Sequence, residues 1–295
     1  MQCIKDMLNV LIDIDNAQKL IKKSKGRKRK APKKRKASAV VQVPNPLDQK
    51  YDELNCHLDV VPRSSKQYKE IEAYLRATEV MALQKGSQWA KALQIVHAFE
   101  VDREGDKRFK PWEKLANRKL LWHGTNVAVI AAILNSGLRI MPHSGGRVGK
   151  GLYFASELAK SQSYIRFDPH TKLGCVFLVE TALGKEHHID KDDSSLRKAP
   201  PKHNSIVALG RQCNVQHPKS KPRTMKLRDG TSVLVPVEKA TATPHKSSSF
   251  WNSEYLVYGK RSARKRFEKD CLCFWTFLDE SQARIRFLLV IKYQG

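Results

Sequence analysis

No stretch of this sequence stays apolar for the roughly 18–20 residues that a bilayer-spanning helix needs, so no membrane partner is expected. No secretory leader opens it either. Met1–Leu20 is amphipathic and carries Asp6, Asp13 and Asp15. The six cysteines are scattered without a Cys-x-x-Cys pair, and Cys271-x-Cys273 is too closely spaced for a zinc site. They read as free thiols in a reducing compartment. A Walker A loop is missing: with Gly149-Lys150 fixed, its first glycine falls on Ser144 and its Ser/Thr on Gly151. A Rossmann fingerprint is missing too, because from Gly149 its last glycine falls on Phe154. Acid is scarce: 29 Asp and Glu stand against 55 Lys and Arg, a net charge of +26. Such an excess implies a polyanionic partner or a strongly electropositive surface. Lys22–Lys36 holds eleven of the basic residues and no acid; without them the chain is still +15.

What is present centres on Leu120–Ser161. Leu120–Trp122 is a short apolar strand ending at His123-Gly124. Asn126–Ser136 has apolar residues at Val127, Ile130, Ala131 and Leu134, a helical spacing, with Gly137 as the stop. Leu138–Met141 reads as extended. Gly145, Gly146, Gly149 and Gly151 then let the backbone turn sharply and approach a ligand. Leu152–Ala155 is a second strand. Ser156 reads as the N-cap, with Glu157 in the first turn, of a helix carrying Lys160, Ser161 and Tyr164. On that helix Ser161 and Tyr164 would share a face. The His-Gly pair, the glycine loop and Tyr153 together read as a pocket.

Around this stretch the pattern is of short strands and few helices. Cys3–Ile21 reads as an amphipathic helix and Ser24–Ala39 as a solvated, disordered run. That run would serve as a nuclear localisation signal or a phosphate-binding arm, the alternative being a charged linker with no specific partner. Strands are expected at Leu54–Val61, Leu93–Val101, Gly174–Leu183, Ser205–Leu209, Thr231–Val237, Glu254–Tyr258 and Ile285–Ile291. Ser65–Thr78 is expected as a helix and Asp102–Asp106 as a turn. His187 and His188 are neighbours on a strand, so they point to opposite faces and are not expected to chelate a metal together. The fold class is α+β.

LLWHGT, GLRI, GKGLYFAS with AKSQSY, and NSEYLVY at Asn252–Tyr258 occur in an order that resembles the catalytic domain of the poly(ADP-ribose) polymerase family. The resemblance runs from about Ile4 to Tyr293 and is strongest to the family's mono-ADP-ribosylating, DNA-damage-linked branch. It implies the ADP-ribosyltransferase fold, two packed antiparallel sheets around an NAD cleft. Residues 1–21 then resemble a remnant helix of the family's helical regulatory domain, truncated at its N-terminus. Residues 22–42 become a basic linker and 43–295 the catalytic domain. Residues 259–278 are surplus to the family pattern and read as a retained intron or gene-model error in preference to a genuine loop. They put the register of the Glu254 strand in question.

The chemistry implied is cleavage of the N-glycosidic bond of NAD through an oxocarbenium-like transition state. The enzyme then needs a clamp for the carboxamide, a platform for the ring and an anion near the ribose carbon. By the resemblance, Gly124 supplies backbone groups to the carboxamide and Ser161 a hydroxyl. Tyr164 stacks on the nicotinamide and Tyr153 lines the opposite wall. His123 holds the adenosine ribose, Arg139 lies near the adenine side, and Lys160 orients Glu254 or the acceptor. His123, Tyr153 and Glu254 correspond to the family's His-Tyr-Glu triad, with Glu254 as the catalytic carboxylate. NAD is a substrate, and no metal is implied.

The expected function is therefore transfer of ADP-ribose, chiefly single units, to acidic or serine side chains of proteins including itself, or to DNA ends. The expected setting is a nuclear monomer acting in the DNA damage response. DNA would be met through Lys22–Lys36 or through upstream domains, and activity would not depend on it. Two rivals stand beside this reading. One is an inactive NAD- or ADP-ribose-binding protein. The other is a basic nucleic-acid-binding protein whose function lies in Lys22–Lys36.

Overall fold

A computed structural model describes residues 51–52, 54–79, 93–103, 108–140, 145–214, 223–266 and 274–293. The expected helix over Cys3–Ile21, the basic run and the Asp102–Asp106 turn fall wholly or mainly outside these residues. In chain order the strands are β1 (His57–Val60), β2 (Leu93–Asp102), β3 (Arg118–Gly124), β4 (Leu152–Ala155), β5 (Leu173–Ala182), β6 (Glu186–Ile189), β7 (Ser205–Ala208) and β8 (Gly210–Cys213). Then follow β9 (Arg223–Lys226), β10 (Ser232–Val235), β11 (Thr241–Ala242), β12 (Phe250–Asn252), β13 (Glu254–Val257), β14 (Lys260–Arg266), β15 (Phe274–Glu280) and β16 (Ala283–Tyr293). Among the described residues the α-helices are α1 (Lys66–Thr78), α2 (Ile130–Ser136) and α3 (Leu158–Gln162). None is long and apolar enough to cross a membrane.

The strands pair in the order β1-β2-β16-β5-β3-β4-β13-β7-β6, with β10 and β9 attached beside β3. Most pairs are antiparallel. The exceptions are β6–β7, β3–β10 and β8–β12, which are parallel. The two halves of the path meet between β3 and β4 through one pair, Trp122↔Ala155. This is the α+β fold expected, although its two halves form one continuous eleven-stranded sheet joined at a single pair beside the His-Gly pair, with β11-β8-β12 as a separate three-stranded sheet.

The long central strands are buried on both faces, which is why they read as nearly continuous apolar runs. In β5, Val176 and Leu178 face one core while Phe177 and Val179 face the other. In β3, Leu120 and Trp122 share the first core and Leu121 the second. Helix α1 covers the first. Ser65 caps it by accepting from the Tyr68 N–H at 3.1 Å, and Tyr68, Ile71, Tyr74 and Leu75 form its buried stripe. Trp122, fully buried, donates its indole N–H to Thr78 Oγ1 at 3.2 Å and so pins α1 to β3.

One charged cluster lies inside. Glu180 on β5 is fully buried and accepts from Arg286 Nε at 2.7 Å, with Arg118 Nη1 at 3.2 Å. Arg286 Nη2 also reaches Asp229 at 2.7 Å. Cys56, Cys175 and Cys213 are free thiols. The segment surplus to the family pattern leaves β13 in register. Beyond that strand, β14 and β15 pair with each other from Lys260↔Glu280 to Arg266↔Phe274 as a separate two-stranded sheet. Cys271 and Cys273 lie outside the described residues.

Candidate active site

Strand β4 is the axis of the site. On one edge it meets β3 at Ala155; on the other it pairs with β13 from Glu254↔Ala155 to Val257↔Leu152. Ala155 therefore has Trp122 on one side and Glu254 on the other. The β3–β4 ladder stops at that pair, so β4 does not cover the edge of β3 at His123-Gly124. His123 bridges the opening. Its Nδ1–H donates to the Tyr153 carbonyl at 2.9 Å. Burial holds the imidazole below its ordinary pKa, with that bond pulling the other way. A neutral ring donating through Nδ1 presents Nε2 as a bare acceptor, a fit for a sugar hydroxyl.

Glu254, at the start of β13, is 5% exposed and pairs with Lys160 Nζ at 2.8 Å. Lys160 also stands over the Tyr164 ring, 5.9 Å from its centroid. Tyr153 turns its hydroxyl into the glycine loop. It donates to the Gly149 carbonyl at 2.7 Å and accepts from the Val148 N–H at 3.1 Å, and burial raises its pKa. Ser161 is buried and donates to the Trp122 carbonyl at 3.2 Å, which leaves its oxygen lone pairs as acceptors. Arg139 is exposed on the segment after α2.

Several expectations change at this level. The Leu138–Met141 segment joins no ladder over its described residues, 138–140. Ser156 does not cap α3. It lies in the core with its carbonyl accepting from Tyr74 Oη at 2.9 Å and Asn214 Nδ2 at 3.1 Å, and Glu157 takes the N-cap position without a side-chain cap. Tyr164 lies past the end of α3 and is 58% exposed while Ser161 is 5% exposed. The Tyr164 N–H still bonds the Ser161 carbonyl at 3.1 Å and keeps the ring near Lys160.

Two of the glycines, Gly124 and Gly149, are required by the chain's own backbone. A Cβ at Gly124 would lie 2.0 Å from the Ser161 carbonyl oxygen. Gly149, at φ 76°, would put one 1.9 Å from the Leu196 carbonyl oxygen. The residues 146–149 close on themselves through reciprocal Gly146–Gly149 bonds of 3.2 and 3.0 Å. Arg147 anchors that loop with two 2.7 Å bonds to Asp192 and one of 2.8 Å to the Ser249 carbonyl. Nothing local in the sequence signals that Arg147 anchors this loop or that Glu157 and Asn252 meet in the interior, since the partners lie 45 and 95 residues apart. His187 and His188 part company as expected: His188 bonds Glu186 at 3.0 Å, and His187 lies edge-on to His203. Among the described residues no three His, Cys, Asp or Glu side chains gather as a metal site.

Fold and geometry together describe an α+β domain in which β4 stands between His123 and a buried carboxylate–ammonium pair. The model of the poly(ADP-ribose) polymerase catalytic domain matches residues 65–267, and the chain belongs to that family. It is 44% identical over 273 residues to the mouse protein mono-ADP-ribosyltransferase PARP3, covering 90% of this chain and 47% of that relative. The human PARP3 protein is also 44% identical, over 272 residues. Poly [ADP-ribose] polymerase 1 of Xenopus laevis is 32% identical over 254 residues, with 22% of its length covered. The chain spans about half the length of the PARP3 relatives it matches.

Proposed function

We propose that the chain is an NAD-dependent ADP-ribosyltransferase that adds mainly single ADP-ribose units to acidic or serine side chains of proteins, itself included. The observation that carries this is the convergence of His123, Glu254 and Lys160 around β4, at the one point where the two halves of the sheet part. NAD supplies ADP-ribose on a sugar C1′–nitrogen bond that breaks with its electron pair leaving on nicotinamide. The Glu254 carboxylate faces the positive charge that develops at the sugar carbon, inside a buried site where such an interaction is strong. Lys160 holds that carboxylate in place and limits its rotamers. His123 Nε2 accepts a ribose hydroxyl, Ser161 Oγ accepts an N–H of the carboxamide, and the uncovered edge at Gly124 supplies backbone groups to the same amide. An acidic acceptor attacks C1′ as its carboxylate, whereas a serine hydroxyl gives up its proton as it bonds to C1′, and on this reading Glu254 takes that proton.

Single-unit transfer is favoured by the relatives at 44% identity, both named mono-ADP-ribosyltransferases. A nuclear setting, a role in the DNA damage response and DNA contact through Lys22–Lys36 belong to the same reading and rest on charge and resemblance. The test is incubation with NAD labelled in the adenine ring, followed by resolution of the protein-bound label by length. Label on protein as single units is expected. Long chains would overturn the mono assignment, and absence of any transfer would overturn the enzymatic one.

A further inference from the structure

Behind β4 lies a group of polar side chains buried more deeply than those of the cleft. Ser156, Glu157, Gln212, Asn214 and Asn252 are each at most 3% exposed. Gln212 and Asn252 are opposite each other in the parallel β8–β12 pair, and Asn214 binds both the Ser156 and Pro236 carbonyls. Within this group Asn252 Nδ2 donates to Glu157 Oε2 at 2.7 Å. Glu157 Oε1 has no hydrogen-bond partner among the described residues. Burying a carboxyl with one oxygen unmatched is costly, and an apolar side chain would fill the same space at less cost. A contact kept at that cost calls for a role beyond packing.

Its place in the chain supplies one. Glu157 precedes Lys160 by one helical turn, and the Lys160 N–H bonds the Glu157 carbonyl at 3.2 Å. Asn252 precedes Glu254 by two residues. The two short segments 157–160 and 252–254 are thus pinned together twice, in the core by Glu157–Asn252 and at the cleft by Lys160–Glu254 at 2.8 Å. Opening the inner pin loosens the turn that carries Lys160 and the lead into β13, while the Glu254 backbone keeps its ladder partners Ala155 and Ala208. We propose that Glu157 is a positioning residue, whose bond to Asn252 sets where the Glu254 carboxylate stands against Lys160. This rests on the reading of Glu254 as the group that acts at the sugar carbon. The raised pKa of Glu157, pushed to about 7 by burial against the pull of the Asn252 bond, makes glutamine a close match in shape and hydrogen bonding for its neutral form.

The test uses the whole chain with Glu157→Gln, Glu157→Leu, Asn252→Ala and the Glu157→Leu/Asn252→Ala double variant. Nicotinamide release from NAD gives kcat and KM. Glu157→Leu and Asn252→Ala should each lower kcat by about 30-fold or more, with KM moving less than about threefold, as loss of orientation does. Glu157→Gln, which keeps an oxygen for Asn252, should recover kcat to within about threefold of the parent. The double variant should be no worse than the poorer single one. A Gln variant as poor as Leu, losses that multiply, or full kcat in Glu157→Leu would overturn the proposal. A second readout needs no turnover: the carbon-13 NMR chemical shift of the Glu254 side-chain carboxyl at one fixed pH, which reports its contact with Lys160. That signal should move in Glu157→Leu and Asn252→Ala and stay in Glu157→Gln. An unmoved signal in folded Asn252→Ala would overturn the proposal even if the parent proves inactive, whereas failure of the parent to cleave NAD with these changes present would overturn only the reading of the reaction.

Discussion

Replacing Gly124 with alanine would place a methyl carbon 2.0 Å from the Ser161 carbonyl oxygen, 2.9 Å from its carbon and 3.2 Å from Ile165 Cγ1. Real contacts of this kind do not fall below 3.0 Å, so about 1 Å of movement is needed. Neither side yields easily. Gly124 is held in the β3–β5 ladder opposite Val176, and the Ser161 carbonyl belongs to the backbone of α3 and accepts from the Tyr164 N–H. The strain has the size of core overpacking, about 1–3 kcal/mol, which for a domain of this size lowers the melting temperature by roughly 3–10 °C. Relief by shifting α3 would carry Lys160 and Ser161 with it. A 1 Å displacement of positioning groups costs about 100-fold in rate. Gly124→Ala should therefore melt earlier and lose about 100-fold in kcat for nicotinamide release, both measured on the same preparation. A variant with an unchanged melting temperature and kcat within a few-fold of the parent would refute the close approach of β3 to α3 and the role given to it.

Glu157 titrates near 7 in the folded chain, above its ordinary value of 4.5, so the folded state holds that proton more tightly than the unfolded one. Its contribution is intact below pH 4.5 and falls by about 3 kcal/mol as pH rises through 7; comparing urea midpoints of parent and Glu157→Gln at pH 5 and pH 8 should show the gap move in favour of the variant at high pH, and a constant gap would contradict it. Tyr153→Phe removes the two bonds that brace the glycine loop, so the Val148 amide should exchange faster and stability fall by about 1–2 kcal/mol in thermal melts; unchanged exchange would count against that bracing. Arg286→Ala leaves the fully buried Glu180 with Arg118 alone and should cost about 3 kcal/mol by urea unfolding, with a loss under 1 kcal/mol as the contrary result.

Much of the sheet was legible because burial on one or both faces leaves apolar patterns in the sequence. GCVFLVETA becomes β5, LYFA becomes β4, and Ser65 with the Tyr68, Ile71 and Leu75 spacing becomes α1. Strands β8, β9, β11 and β12 escaped because two to four mixed residues carry no period. The candidate site residues stand in motifs whose local reasons were only partly legible. Gly124 and Gly149 read as room for a ligand, whereas carbonyls of Ser161 and Leu196 occupy the space a Cβ would need. Ser156 and Glu157 had the look of a solvated helix start, since local sequence does not register that Tyr74 and Asn214 close over them from 82 and 58 residues away. The pin between Glu157 and Asn252 depends on such a distant contact and left no local mark.

The most direct measurement is nicotinamide release from NAD by the chain as it stands, by Glu254→Gln and by a version lacking residues 259–278. Turnover in the first, lost by about 100-fold or more in Glu254→Gln and retained in the deletion, is the predicted result. Equal turnover in the parent and Glu254→Gln, or none in any of the three, would contradict the account that the cleft beside β4 is the seat of the reaction.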